Sequence, residues 1–465
     1  MPSPSKFSTL QPSINDLWFL PLGGTGEIGM NLNLYGHNGQ WLMVDCGLTF
    51  NAPLNAELDD DLRAKRHNLV AADPSFISER REALAGIVIT HAHEDHLGAI
   101  PYLWDKFACP IYTTRFTAEV LRRKLYAMDV SLIPPIIEVS SDEVLNIGVF
   151  SVEWMQITHS LPDAHAIYIN TPAGSIFHTA DWKIDYHPVV GNALDADWYR
   201  ALSKRDTKAI VCDSTNARRE GKTVSESACY VGLKALIQET DKRVLVTCFA
   251  SNVGRLLTLA RIAQETGRYM TVLGRSLENM ISIAKATGYW PDEYKIANKR
   301  HIGYLPKHEV LIVATGSQGE ARAALSKLAQ EQHPYCELDA QDRVIFSAIT
   351  IPGNERPIQR LVNAFRSRDV EVFQEHDVDL PIHASGHPSQ TDLKTMFKWV
   401  QPDILIPVHG EAADLQQCAE LGLETGIERA YAGKNGDLFQ LAPIASVKRG
   451  AVRTARIEVG DMQNK

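Results

Sequence analysis

Hydrophobic residues in this chain gather in short runs between turn-forming residues, and the spacing within the runs changes along its length. Residues 18–22 predict a short strand ending in Gly23-Gly24. Residues 31–35 alternate polar and apolar, and His37-Asn38-Gly39-Gln40 is a hairpin signal leading into a strand at 41–44. A strand at 86–90 is followed, after His96, by a predicted helix at 97–107. Strands recur at 151–158, 166–170 and 175–178. From about Ser225 the pattern turns to helices alternating with buried strands. Helices fall at 228–240, 255–266 and 278–287, and strands at 243–249 and 269–273. Apolar β-rich runs at 310–314, 343–347 and 404–408 read as buried strands. The layout is antiparallel-leaning β first, an α/β block in the middle, and mixed structure at the end. There is no internal repeat and no low-complexity tract.

Length and charge narrow the class. With 465 residues, two or three globular units are expected. No run approaches the roughly 18 apolar residues that cross a bilayer, and the start, MPSPSKFSTLQPS, lacks the apolar core of a secretory signal. Seven cysteines, odd in number and without a CxxC pair, read as reduced thiols of a soluble cytoplasmic protein. The net charge of −9 argues against a protein that coats nucleic acid. Residues 217–310, however, carry 15 Lys/Arg against 9 Asp/Glu. That basic segment on an acidic body fits either a directed anionic substrate or a chance fluctuation of surface charge.

Two glycine motifs are decoys. Gly24-Thr-Gly26-Glu-Ile-Gly29 matches GxGxxG with Asp45 downstream, but the intervening residues read strand–turn–strand. A dinucleotide site needs a helix N-terminus there, so NAD is rejected. Gly221-Lys222-Thr223 resembles the end of a P-loop, yet Asn216 stands where the first glycine belongs; a surface loop is expected.

The chemistry lies in His91-Ala92-His93-Glu94-Asp95-His96, just after a predicted strand. Imidazole and carboxylate in this density suit zinc, or manganese with more oxygen ligands. On an extended segment His91 and His93 point the same way; Asp95 and His96 begin a helix and can face a second ion. His159, Asp181 and His409 each follow a β-type run, where a loop residue or a ligand fits equally well. Together they supply the count that two ions require.

HAHEDH resembles the HxHxDH signature of the metallo-β-lactamase superfamily, with Asp45, His159, Asp181 and His409 at its remaining motif positions. The middle block resembles the beta-CASP insertion of nucleic-acid-processing members. Nearly end to end the chain is similar to the ribonuclease J family, through PLGGTGEIGMN (21–31), DSTNA (213–217), FASNV (249–253), ATGSQGE (314–320), IPGNE (351–355), HASGHPSQ (383–390) and PVHGE (407–411).

The resemblance implies an α/β fold, a metallo-β-lactamase αββα sandwich with an inserted α/β beta-CASP domain. Its parts would be a loose tail at 1–15, the first part of the metallo-β-lactamase domain at 16–216, beta-CASP at 217–372, a return segment at 373–450 and a tail at 451–465. It also implies two divalent ions, zinc before manganese. One would be held by His91, His93, His159 and Asp181, the other by Asp95, His96, His409 and the same Asp181. His at 93, where iron-based oxygen-reducing relatives carry Glu, favours hydrolysis.

The implied activity is hydrolysis of RNA phosphodiester bonds, as a 5′→3′ exonuclease or an endonuclease, leaving 5′-phosphate and 3′-hydroxyl. His387 is the candidate proton donor for the leaving oxygen, and Asp95 is counted with it as catalytic. His383, Ala384, Ser385, Gly386 and His387 would bind substrate phosphate, a tight structural loop being the other reading. Ser251 and Asn252 would contact substrate, or else cap a helix.

Two departures stand out. Gly254 replaces a His that usually follows FASNV in the family. The chain also ends at Lys465, where relatives commonly continue into a small C-terminal domain supporting a homodimer or homotetramer. The competing functions are a DNA or oligonucleotide phosphodiesterase on the same fold, and a metal-bound RNA-binding scaffold with little catalysis.

Overall fold

In a computed structural model, which describes residues 10–51, 68–130, 132–141 and 143–461, two large β-sheets face each other. The first strand, Leu17–Gly23, shows why they do so. Leu17 and Phe19 point into the core between the sheets, while Trp18, Leu20 and Leu22 point the other way, toward helices. Side chains alternate along a strand, so a run that is apolar throughout must be covered on both faces. Leu32–His37 and Gln40–Val44 repeat this pattern around the expected turn, where Asn38 and Gly39 both take positive φ.

The eight-stranded sheet runs from Ser446–Lys448 through Leu438–Ala442, Leu17–Gly23, Leu32–His37, Gln40–Val44, Leu84–Val88 and Ile111–Thr114 to Ile136–Val139. In the seven-stranded sheet, Thr207–Asp213 lies between Gly174–His178 and Ile404–Val408 and is parallel to both. Trp154, Phe150, Ile167 and Val211 of this sheet meet Phe19, Tyr35, Leu42 and Val88 of the other in the central core. Helices Ala196–Ala201, Gln390–Val400 and Ala412–Glu424 cover the outer face of the seven-stranded sheet. Ile100–Phe107 and Arg115–Ala127 lie over the eight-stranded one. The result is an αββα sandwich.

Thr207–Asp213 and Ile404–Val408 are neighbours in the sheet but far apart in the chain, and the residues between them build a separate unit. Its core is a parallel five-stranded sheet in the order Tyr269–Leu273, Val310–Ala314, Val244–Thr247, Arg343–Phe346, Glu371–Phe373. Helices Cys229–Gln238, Val253–Glu265, Arg275–Thr287 and Glu355–Arg366 pack around it. All seven cysteines are buried and unpaired. Among the described residues no helix is long and apolar enough to cross a membrane.

Several expectations need correcting. The helix expected over 97–107 is two short ones, Glu94–Leu97 and Ile100–Phe107. The break arises because the Ala99 N–H is drawn to the Cys46 carbonyl at 3.0 Å, and Pro101 suits a first helical turn rather than an interior. Of the tail expected at 451–465, residues 462–465 lie outside the described residues, and Arg456–Asp461 pairs with Asn68–Ala72 in a three-stranded antiparallel sheet. In the leading segment, residues 1–9 lie outside the described residues. The Pro12 and Ser13 carbonyls accept hydrogen bonds from Gly39 and Asn38 and so clasp the hairpin turn. Gly221-Lys222-Thr223 does lie in a loop with Gly221 and Lys222 exposed, and only Thr223 turns inward. Its N–H donates to Asp392 at 2.8 Å and its hydroxyl to the His387 carbonyl at 2.9 Å.

Candidate metal centre

Strand ends bring the chemistry together. Asp45 follows Gln40–Val44, His91 follows Leu84–Val88 and His159 follows Phe150–Gln156. Asp181 follows Gly174–His178, Asp213 ends its own strand, and His409 follows Ile404–Val408. Asp45, the Ala180 before Asp181, and His409 all take left-handed backbone angles, φ 65°, 53° and 52°. Non-glycine residues seldom adopt this region, and packing must hold them in it. Part of that hold is the glycine loop whose spacing mimics a dinucleotide site. The Gly24 carbonyl accepts the His409 N–H at 2.6 Å, and Gly26 and Glu27 bridge to Glu411 and Gly410. Gly24 has φ +82°, and a Cβ there would sit 2.1 Å from Asn31 Oδ1, so only glycine fits.

Ligand atoms of His91, His93, His159 and Asp181 lie within 4.8 Å of one another, as do those of Asp95, His96, Asp181 and His409. Nε2 of His91 and Nε2 of His159 each stand 3.1 Å from Nδ1 of His93. Burial pushes the His93 imidazole down to about 4 and holds His91 and His159 well below the usual histidine value, so all three present lone pairs. Neutral nitrogens aimed at one point suit a cation seated among them. Asp181 faces both groups. Its Oδ2 lies 3.3 Å from His96 Nε2, and its Oδ1 is buried without a hydrogen-bond partner. Burial opposes charge on Asp181, but His409 and His96 outweigh it and keep the carboxyl well below its ordinary range. In the same way, burial works against protonation of His96 and His409, yet Asp181 and its neighbouring carboxylates hold both well above the usual value.

Outer contacts aim these rings. Asp45 Oδ2 is 2.7 Å from His96 Nδ1, and its Oδ1 accepts the Thr90 N–H at 2.9 Å. The Thr90 hydroxyl is 3.0 Å from His91 Nδ1. Nδ1 of His159 pairs with the Gly386 carbonyl at 2.7 Å. The Thr215 hydroxyl donates to Asp213 at 2.7 Å and lies 3.0 Å from His409 Nδ1. Asp45→Asn should therefore weaken metal retention by about 10- to 100-fold in competition with a chelator while the protein stays folded; unchanged retention would remove Asp45 from the site.

The 383–387 loop lies directly on the cluster. A Cβ on Gly386 would stand 2.5 Å from His159 Cε1, so glycine is required there. Ser385 accepts from Asn216 Nδ2 at 2.8 Å. His383 is buried with both ring nitrogens unpaired, and Ala384 is buried. His387 keeps its ring partly open, with a 22% exposed side chain, and places Nδ1 2.8 Å from Asp213 Oδ2. Burial opposes its protonation, but Asp213 prevails and raises it. Asp213, which the residue-by-residue reading did not single out, lies within the cluster through His387 and His409; its one signal in the sequence is the DSTNA motif. Asn252 acts as a helix cap, its Oδ1 accepting the Arg255 N–H at 2.8 Å at the start of Val253–Glu265, and Ser251 is half-buried beside it. Gly254 packs against Glu226 and Val189, where a Cβ would lie 3.2 and 3.7 Å from their side chains.

Matches to known proteins agree with this architecture. Residues 29–203 match the metallo-beta-lactamase superfamily, 241–365 the ribonuclease J beta-CASP domain, and 381–432 the Zn-dependent metallo-hydrolase RNA specificity domain. A Ribonuclease J from Sinorhizobium meliloti is 41% identical over 92% of this chain and 75% of its own length. One from Helicobacter pylori strain B128 is 32% identical over 96% of this chain and 63% of its own, so this chain spans less than two thirds of that relative. A solved structure from Enterococcus faecalis V583, a protein of unknown function, shares the fold at a TM-score of 0.62 and 17% identity, covering 91% of this chain and all of that one. Fold and site define a metallo-β-lactamase protein with a beta-CASP insertion. Within that class, the chain belongs to the ribonuclease J family.

Proposed function

We propose that the protein is a metal-dependent ribonuclease that hydrolyses RNA phosphodiester bonds at a two-metal centre, leaving 5′-phosphate and 3′-hydroxyl ends. The observation that carries this reading is Asp181, buried between two histidine-bearing groups, its Oδ1 3.4 Å from His409 Nδ1 and without a hydrogen bond. The donor set supports metal binding: Asp45, Asp95, Asp181 and Asp213 surround the site, each beside an imidazole, and cations seated there would take the place of the protons those imidazoles hold. His91, His93, His159 and Asp181 would hold one ion, and Asp95, His96, His409 and Asp181 the other. Zinc suits this nitrogen-rich set best, with manganese second. Such ions, when bound, supply an activated water and stabilise charge on the reacting phosphate.

The chain's own residues do the rest. Asp213 orients His387 through Nδ1 and leaves Nε2 to deliver a proton to the leaving oxygen. Ser385 offers a hydroxyl for substrate phosphate, with the buried ring of His383 beneath the same loop. Asp213→Asn should therefore lower kcat by about 100-fold or more with little change in KM. An equal loss through KM alone would reassign Asp213 to substrate binding.

The testing experiment is a cleavage assay on 5′-end-labelled, 5′-monophosphorylated RNA and matched single-stranded DNA, with zinc or manganese and after chelation. Metal-dependent release of labelled mononucleotide from RNA supports a 5′ exoribonuclease, and internal fragments support an endonuclease. Cleavage of DNA alone, or RNA binding without cleavage by metal-loaded protein, would overturn the reading.

A further inference from the structure

We propose that Arg255 is a positioning residue: from the inserted unit it sets the 383–387 loop over the metal cluster, and turnover of RNA depends on it. This inference rests on the ribonuclease reading. Arg255 lies in helix Val253–Glu265, is completely buried, and every polar atom of its guanidinium has a partner. Nε and Nη2 form a two-point pair with Glu226, at 2.7 and 3.1 Å, and Nη2 also lies 3.3 Å from Cys229 Sγ. Nη1 donates to the carbonyls of Ser347 and Ile382, each at 2.9 Å, and to the Ser347 hydroxyl. The Ser347 hydroxyl in turn donates to the Ile382 carbonyl at 2.7 Å. Two donors thus converge on the peptide immediately before His383.

Ile382 leads directly into the loop that closes the site. Gly386 backs His159, Asn216 holds Ser385, Thr223 holds the His387 carbonyl, and His387 meets Asp213. The far side of Glu226 returns to the same centre. Its N–H donates to Asp185 at 3.0 Å, and Asp185 pairs with buried Lys183 at 3.3 Å. The Lys183 N–H bonds the carbonyl of Thr158, the residue before His159. Arg255 therefore ties the end of strand Arg343–Phe346, the turn at Glu226–Ala228 and the base of the 383–387 loop into one frame. A planar fork reaches three acceptor groups in fixed directions, which a lysine ammonium on a flexible stem does not do.

The test compares wild type with Arg255→Lys, which keeps the buried charge for Glu226 but loses the fork. Turnover is measured on 5′-monophosphorylated RNA and on bis(para-nitrophenyl) phosphate, a small diester that needs the metal centre alone. Metal content and amide exchange across 382–389 are measured alongside. The expected result is an RNA kcat/KM about 10- to 100-fold lower with diester hydrolysis and metal content nearly unchanged, and faster exchange in 382–389. Parallel loss of RNA and diester activity would reduce Arg255 to general structural support and overturn the proposal. So would unchanged RNA turnover or unchanged exchange. If wild type cleaves the diester but no RNA, the ribonuclease reading fails instead, and the exchange arm still decides whether Arg255 sets the loop.

Discussion

Asp181→Ala should abolish RNA cleavage, by more than about a thousandfold, in a protein that remains folded. This carboxylate belongs to both groups of convergent ligand atoms, so its loss weakens both proposed ion sites at once. His93→Ala touches only the first group, so it should cost activity comparably but leave the second group intact. Metal analysis distinguishes the two variants: the Asp181 variant loses both ions, the His93 variant chiefly one. Circular dichroism and thermal melting establish that each is folded. Asp181 pairs with His96 and His409 within the buried cluster, so the apo variant should melt somewhat lower than apo wild type while remaining folded. Cleavage retained at near wild-type rate by clean preparations of both variants would sink the site assignment.

The largest stability effect should come from Glu226→Ala. It leaves Arg255 fully buried with its charge uncompensated, a change that costs about 3–5 kcal/mol when one partner of a buried pair is removed. Desolvation is what makes the single substitution severe. The double variant Glu226→Leu/Arg255→Met removes both charges and should recover most of the loss, since apolar replacement of a whole buried pair is often close to neutral. Urea denaturation of wild type, single and double variants measures the effect. A Glu226→Ala protein within about 1 kcal/mol of wild type would mean that Arg255 finds water or another acceptor in solution. The double variant lacks the Arg255 donor to Ile382, so it should regain stability without regaining RNA turnover.

Much of this architecture was legible without coordinates. Leu17–Gly23, Gln40–Val44, Phe150–Gln156, Val244–Thr247 and Val310–Ala314 were readable because an apolar run short enough for a strand is a local signal. HAHEDH was readable because four potential ligands within six residues are hard to explain by accident. Helices Arg115–Ala127, Glu355–Arg366 and Ala412–Glu424 were overlooked. Only one stripe of each is buried, and charged residues interrupt the apolar positions. Asn252 was open between a substrate contact and a cap, and its hydrogen bond to Arg255 shows the cap.

By itself, then, the sequence determined the element types, the dense half of the metal cluster, the family, and the residues worth testing, because each depends on neighbours in the chain. Tertiary structure alone decided which distant groups meet. Asp95 and His409, 314 positions apart, come to 3.0 Å because strand Ile404–Val408 returns beside Thr207–Asp213 after the whole inserted unit has been built. Packing likewise brings Asp213 to His387, 174 positions away, and holds Asp45, Ala180 and His409 in left-handed conformations. The burial of Arg255 is likewise a product of packing. An arginine in a helix reads as solvated until the 347 and 382 segments close over it, and only then does its charge require Glu226.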